Sequence, residues 1–170
     1  MSQHSARTEP QPQSSNKSKS RSPGSGSHRA MRSQAGPGDR ASVQEYLDRF
    51  ATAMTTGNTK TMAQLWGVPA FVVGANMAKV VQSDDEVEEF FSGAKAMYNE
   101  RGIMDTRADI EDLDWITEDL VIVTVRWPYL DQNEKELGAE RSSYTLFKGE
   151  DGSYKVRAIT MRGEERSQTE

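Results

Sequence analysis

Between residues 41 and 165 there is neither imidazole nor thiol to move a proton, so the candidates are drawn from carboxylates, arginines and tyrosines. The chain of 170 residues has no cysteine, and its two histidines, His4 and His28, both precede that stretch. Serine–histidine hydrolysis, a His-ligated metal, a catalytic thiol and a Cys-built zinc site all lose their usual residue. Asp112, Asp114 and Arg126 are the first candidates that remain. Two carboxylates flanking an arginine can activate a water and protonate a leaving oxygen. Tyr144 is a third kind of candidate, and Arg141, Ser143, Thr160 and Arg162 lie on similar alternating segments. Alternation leaves the face of each open by one register step. The plainer reading puts the acids on a solvated face, with Arg126 paired to them.

Tyr46, Phe50, Trp66, Phe71, Tyr98 and Trp127, with Ser143, are the candidate lining of a ligand pocket. Aromatics at such spacings, Trp115 among them, also serve as plain core. Asp84, Asp85, Glu86, Glu88 and Glu89 offer oxygens to a hard cation, but they equally suit the first turns of a helix and its solvated face. No metal and no cofactor is expected.

These groups need a scaffold, and the apolar pattern supplies it. Ser42-Val43-Gln44-Glu45 reads as a capping box. Val43, Tyr46, Leu47, Phe50, Ala51 and Met54 then form one helical stripe, ended by Gly57. Thr59 is the expected cap of a short helix with Met62, Leu65 and Trp66 on its apolar side, ended by Gly67 and Pro69. Ala70–Val73 and Met77–Val81 read as short strands around Gly74-Ala75-Asn76. Ser83 opens a third helix with the stripe Val87, Phe90, Phe91, Ala94, Met97 and Tyr98, closed by Gly102. Extended segments follow at Ile103–Ile116, Leu120–Trp127, Leu137–Lys148 and Ser153–Arg162. Pro128 marks a bulge or strand end, and Asp151-Gly152 a hairpin. Helices followed by long strands predict an α+β fold, with helices packed on one face of a curved antiparallel sheet.

Composition divides the chain. Residues 1–40 hold ten Ser, four Pro and four Gly, with seven basic and two acidic residues. Such a segment lacks the apolar surface to offset its ordering entropy and is expected to be a disordered basic tail. The other residues carry 14 basic and 24 acidic groups. The expected organisation is a tail over 1–40, a domain over 41–165 and a short tail over 166–170. An acidic domain repels phosphate, so no nucleic acid is expected on the folded part. No apolar run is long enough for a membrane helix, and no secretory h-region is present, so a cytoplasmic location is expected. Gly36-Pro37-Gly38 reads as linker punctuation.

One resemblance rests on "TAMTTGNTKTMAQLW", "SDDEVEEFFSGAKAMY" and the closing "GSYKVRAITMRG". In element order and in the Gly57-Asn58 break before Leu65-Trp66, residues 41–163 resemble the nuclear transport factor 2-like (SnoaL-like) superfamily. That resemblance implies a cone, in which the sheet curls around the helices and encloses a pocket. Members include isomerases, cyclases, dehydratases, epoxide hydrolases and non-catalytic modules, so the fold leaves function open. The isomerase-like tyrosine position falls on Phe50, the base on about Gly74, and the second carboxylic acid near Ser143. The histidine positions of dehydratase-like members fall on Ala158 and Thr160. The resemblance thus implies that the usual catalytic groups are missing. An epoxide-hydrolase-like Asp–Arg–Asp set would draw on Asp112, Arg126 and Asp114.

The expected function is binding of a small apolar molecule in the cone by a homodimer. The alternatives are an enzyme of the cyclase, isomerase or epoxide-hydrolase kind using an Asp/Arg/Tyr site, and a pure interaction module. Apolar residues on both faces of Leu120–Trp127 motivate the dimer.

Overall fold

The structure, a computed structural model, describes residues 37–166. The expected disorder of residues 1–40 falls almost wholly outside that range. The elements are α1 (Pro37–Thr56), α2 (Thr59–Gln64), β1 (Trp66–Gly74), β2 (Met77–Val81), α3 (Asp84–Phe91), α4 (Ala94–Glu100), β3 (Asp109–Trp115), β4 (Leu120–Leu130), β5 (Glu136–Lys148) and β6 (Tyr154–Arg166). Six strands form one open sheet in the order β2-β1-β6-β5-β4-β3. The β1–β6 pair is parallel and the others are antiparallel, so the sheet is mixed. The α+β order is the one the apolar pattern predicts, the cone-shaped arrangement is the one the resemblance implies, and the parallel β1–β6 pair makes the sheet mixed rather than wholly antiparallel.

The stripe on α1 is the keel of the core. Val43, Leu47 and Phe50 are at most 1% exposed. They meet Val121, Val123 and Val125 of β4, Tyr144 and Leu146 of β5, and Val156 and Ile159 of β6 in one apolar cluster. Burying a side chain such as Leu47 or Leu146 stabilises the fold by roughly 1.5–3 kcal/mol. The sheet curls because its long strands carry irregularities. The β5–β6 register shifts between Arg141 and Ser142 and again between Thr145 and Leu146, and the β3–β4 register shifts between Ile110 and Asp112. Each such bulge bends its strand and strengthens the twist.

Several local expectations are corrected. The first helix begins at Pro37, so Ser42 lies inside it rather than at its cap, and Pro37-Gly38 is helix rather than linker. Proline suits a first turn, where its missing N–H costs nothing. Asn58, not Thr59, caps α2: its side chain accepts from the Thr61 N–H at 3.0 Å. The third helix is two helices. Ser92 is extended (ψ 127°) and Gly93 takes φ 82°, a left-handed conformation that glycine adopts without Cβ strain. Ser83 does cap α3, accepting from the Glu86 N–H at 3.2 Å.

Two prolines expected to end elements lie within strands. β1 runs from Trp66 through Pro69, whose peptide with Val68 is cis, and its pairing with β6 is irregular between Trp66 and Phe71. β4 continues through Pro128 because β3 pairs with it only as far as Arg126. Beyond that point Leu130 exchanges backbone bonds with Asp105, and the Thr106 hydroxyl donates to the Pro128 carbonyl at 2.8 Å. The absent proline N–H therefore faces no ladder partner. β3 is also shorter than Ile103–Ile116, and only Asp105 bridges to β4 ahead of it.

Among the described residues, no helix is long and apolar enough to cross a membrane.

Candidate functional site

Where α1 and α4 part from β4 and β5, the cone has a half-open recess. Met54 and Thr55 of α1, Tyr98 of α4, Ile103, Trp127 and Tyr129 of β4, and Glu140 of β5 line it. Lys95, Asn99 and Met104–Thr106 complete the lining. Its empty space measures about 410 Å³ counted out to the mouth, but only about 20 Å³ admits the centre of a water molecule. The latter is room for roughly one water. A larger guest therefore needs a flexible lining side chain such as Met54 to swing aside.

The chemistry of the recess sits on β4 and β5. Trp127 pairs with Glu140 and Tyr129 with Gly138 across the ladder, so Trp127, Tyr129 and Glu140 share the inner face. The Tyr129 hydroxyl lies 2.9 Å from a carboxyl oxygen of Glu140 and 3.1 Å from one of Glu164. Arg101 stands 5.1 Å from the centre of the Tyr129 ring and 3.4 Å from that Glu164 oxygen. Burial pushes the Glu140 carboxyl above the usual carboxylate range, and the charge of Glu164 adds to the rise; the Tyr129 hydrogen bond and Arg101 oppose it. Burial likewise pushes the Tyr98 hydroxyl up to about 12. The Tyr129 hydroxyl is raised for the same first reason, then by Glu140. The Trp127 indole N–H donates to the Tyr144 hydroxyl at 2.9 Å.

The structure disperses most of the residues singled out from sequence. Tyr98 and Trp127 do line the recess. Tyr46, Phe50 and Trp66 are core: the Tyr46 hydroxyl donates to the Leu65 carbonyl, Phe50 packs edge-on to Phe91 and Tyr144, and Trp66 packs on Phe90 and Phe91. Phe71 must be corrected. It points to the outer face and is 52% exposed, while its neighbour Val72 is the buried one. Ser143 is corrected likewise: it faces outward and shares a hydrogen bond with Thr124 at 3.0 Å.

Asp112, Arg126 and Tyr144 do not form one site. Tyr144 is buried on the inner face. Asp112 pairs with Thr124 and Arg126 with Arg141, both on the outer face. There Arg126 binds Glu136, Glu165 (3.3 Å) and Asp109 (4.0 Å), and Arg141 binds Glu111 (2.5 Å) and Glu165. The Asp–Arg–Asp idea fails because β3 and β4 turn those side chains away from the helices. The plain reading, arginine paired on a solvated face, describes Arg126.

Glu140 is the residue that sequence reasoning missed. Buried Ser142, Tyr144 and Leu146 set the inward phase of β5, and two steps before Ser142 that phase reaches Glu140. The signal was the alternation of Leu137–Lys148; only the direction of the pleat was missing. Among the described residues, no three His, Cys, Asp or Glu side chains are placed to hold a metal ion.

The comparisons agree with this geometry at the level of fold. A domain of unknown function with a cystatin-like fold from Nostoc punctiforme is 12% identical, with a TM-score of 0.58, over 79% of this chain and 81% of that one. A ketosteroid isomerase-like protein from Erwinia carotovora atroseptica is 13% identical, with a TM-score of 0.53, over 75% of this chain and 99% of that one. An NTF-2 like protein of unknown function from Silicibacter pomeroyi is 16% identical, with a TM-score of 0.50, over 72% of this chain and 93% of that one. No curated protein matches the sequence. A family model described as "NTF2-like protein (DUF6841)" matches residues 39–164, and the chain belongs to that family.

Proposed function

We propose that the domain binds a small, mainly apolar molecule in the recess and does so as a homodimer. The observation that carries the binding reading is the lining itself: Met54, Tyr98, Ile103, Trp127 and Tyr129 surround one inward carboxyl, that of Glu140. Apolar walls with few convergent polar groups are what small-molecule sites are made of. The test is titration with a neutral alcohol, 3,3-dimethylbutan-1-ol, followed by NMR. Saturable shifts of the Trp127 indole and the Met54 and Ile103 methyls are expected, with a Kd on the order of millimolar for so few atoms. Unmoved signals at saturating alcohol would overturn the reading.

The dimer reading rests on the outer face. Val80, Phe71, Ala158, Thr145 and Ile122 are successive cross-strand neighbours over five strands. Phe71, Val73, Val80, Ile122 and Phe147 are 37–52% exposed. A sheet face of this kind asks for cover. A second copy suits it, because the flanking Arg126 and Arg141, set among Glu111, Glu136 and Glu165, give both charges for a two-fold pairing. Light scattering should give twice the chain mass, and Phe71→Asp should halve it. A wild-type monomer at tens of micromolar, on the order of concentrations that reveal weak dimers, sinks this part.

A second reading is an enzyme in which Glu140 moves a proton. A carboxyl that burial raises above its usual range suits general acid–base chemistry. Any activity of the chain that survives Glu140→Gln would remove it.

A further inference from the structure

Proton bookkeeping at the recess narrows the kind of guest it takes. The Tyr129 hydroxyl carries one hydrogen, yet two carboxyl oxygens, of Glu140 and of Glu164, lie within hydrogen-bond distance of it. That hydrogen serves the Glu140 oxygen, the shorter contact, while the Glu164 oxygen is also held by Arg101 at 3.4 Å.

This arrangement consumes the donors of the strand wall. The Trp127 N–H goes to Tyr144, the Thr106 hydroxyl to the Pro128 carbonyl, and the Tyr129 hydroxyl to the carboxyls of Glu140 and Glu164. What the wall still offers is acceptors, the second Glu140 oxygen first, and the ring faces of Tyr98, Trp127 and Tyr129. Tyr98 and Tyr129 stand 5.9 Å apart, centre to centre, with their planes inclined at 41°. Ring faces and a carboxyl without spare donors are complementary to a positive charge.

We propose that the guest is an organic cation, an alkyl- or arylammonium group set against the Tyr98, Trp127 and Tyr129 rings with the Glu140 carboxylate as its counter-ion. The proposal rests on the recess being a binding site. The Glu140 carboxylate holds the cation while the Tyr129 hydroxyl goes on donating to it. Where Glu140 carries a proton, that proton leaves to solvent as the cation enters, and only its O–H bond breaks. The charged and titratable groups facing Glu140 are Lys95 and Tyr98 of α4, Arg101 and Asp105 after it, Tyr129 of β4, Tyr144 of β5 and Glu164 of β6; α1 contributes Met54 and Thr55, which do not titrate. Lys95 and Asp105 offset one another in the lining, and Arg101 and Glu164 pair with each other beside it, so Glu140 is the carboxyl left for a guest.

Choline and its neutral isostere 3,3-dimethylbutan-1-ol separate the two ideas in the full chain. At pH 8 choline should bind at least about tenfold more tightly than the alcohol, a margin within what cation–π contacts and an ion pair supply. The preference should shrink as pH falls to 5, since protonated Glu140 offers no charge. Glu140→Gln should keep the wild-type near-ultraviolet circular dichroism, which shows it folded, and lose the preference. Alcohol binding equal to or tighter than choline overturns the cation inference and leaves the apolar recess standing. A preference unchanged in Glu140→Gln overturns the role of Glu140. Failure of both probes overturns the inference and the binding reading together.

Discussion

The Trp127 indole N–H donates to the Tyr144 hydroxyl at 2.9 Å, joining β4 to β5 through two buried rings. Trp66, equally buried, has no hydrogen-bond partner for its own indole N–H. The two tryptophans are thus a matched pair: one satisfied, one not.

Trp127→Phe should therefore cost more stability than Trp66→Phe. Both lose ring area, but the first also removes one of the two hydrogen bonds of the Tyr144 hydroxyl, which keeps Ser142, while the second removes a donor that already bears its desolvation cost. The difference should be about 0.5–1.5 kcal/mol, read from urea melts of the two variants at one pH. Equal losses would mean that the indole bond to Tyr144 is worth nothing net.

Glu140 makes a statement about pH. Its carboxyl is raised in the fold, so the fold favours its protonated form. That contribution is fully present below the ordinary glutamate range and is lost as pH rises through the raised value. Glu140→Gln cannot ionise, so its Tm relative to wild type should climb between pH 4 and pH 8. A flat difference across that window would place Glu140 in water.

The outer-face arginines act at the opposite end of the scale. Arg141 beside Glu111, and Arg126 beside Glu136, hold those carboxyls below their usual range through hydrogen bonds first. Depressed groups contribute stability above the ordinary carboxylate range and lose it as pH falls through their folded values. Arg141→Met should be less sensitive than wild type to acid below about pH 4. The margin should be small and should shrink in molar salt, because these pairs are solvent-facing. Identical acid melts for both chains would dismiss the pairing.

Gly93 tests the break between α3 and α4. An added Cβ there meets nothing within 4 Å, but φ is 82°. Gly93→Ala should lose about 1–2 kcal/mol from left-handed strain alone, and Gly93→Asn less, since asparagine tolerates that region. A neutral alanine would mean that the two helices can run on as one.

The sequence alone determined the architecture. Val43, Tyr46, Leu47, Phe50 and Ala51 repeat at helical spacing, and all are buried. The alternation of Val121, Val123, Val125 and Trp127 likewise grouped the residues of one face of β4, all of them buried. These are short-range patterns, and period and burial are linked within one element. The proline positions in β1 and β4 were not legible, because whether a missing N–H costs anything depends on the neighbouring strand. Nor was the Ser92–Gly93 break, since a helical stripe continues through it on paper.

The site was decided by tertiary structure. Phe71 and Val72 differ by one step of pleat, and only packing against the helices tells which is inside. Arg126 and Asp112 went outward and Glu140 inward for the same reason. Alternation names two faces but does not say which one meets the core. The Tyr129 hydroxyl comes to lie between Glu140 and Glu164 because β4, β5 and β6 bring together residues 11 and 35 positions away in the chain. No spacing within a single strand encodes that meeting, so the recess exists only once the sheet has curled around α1.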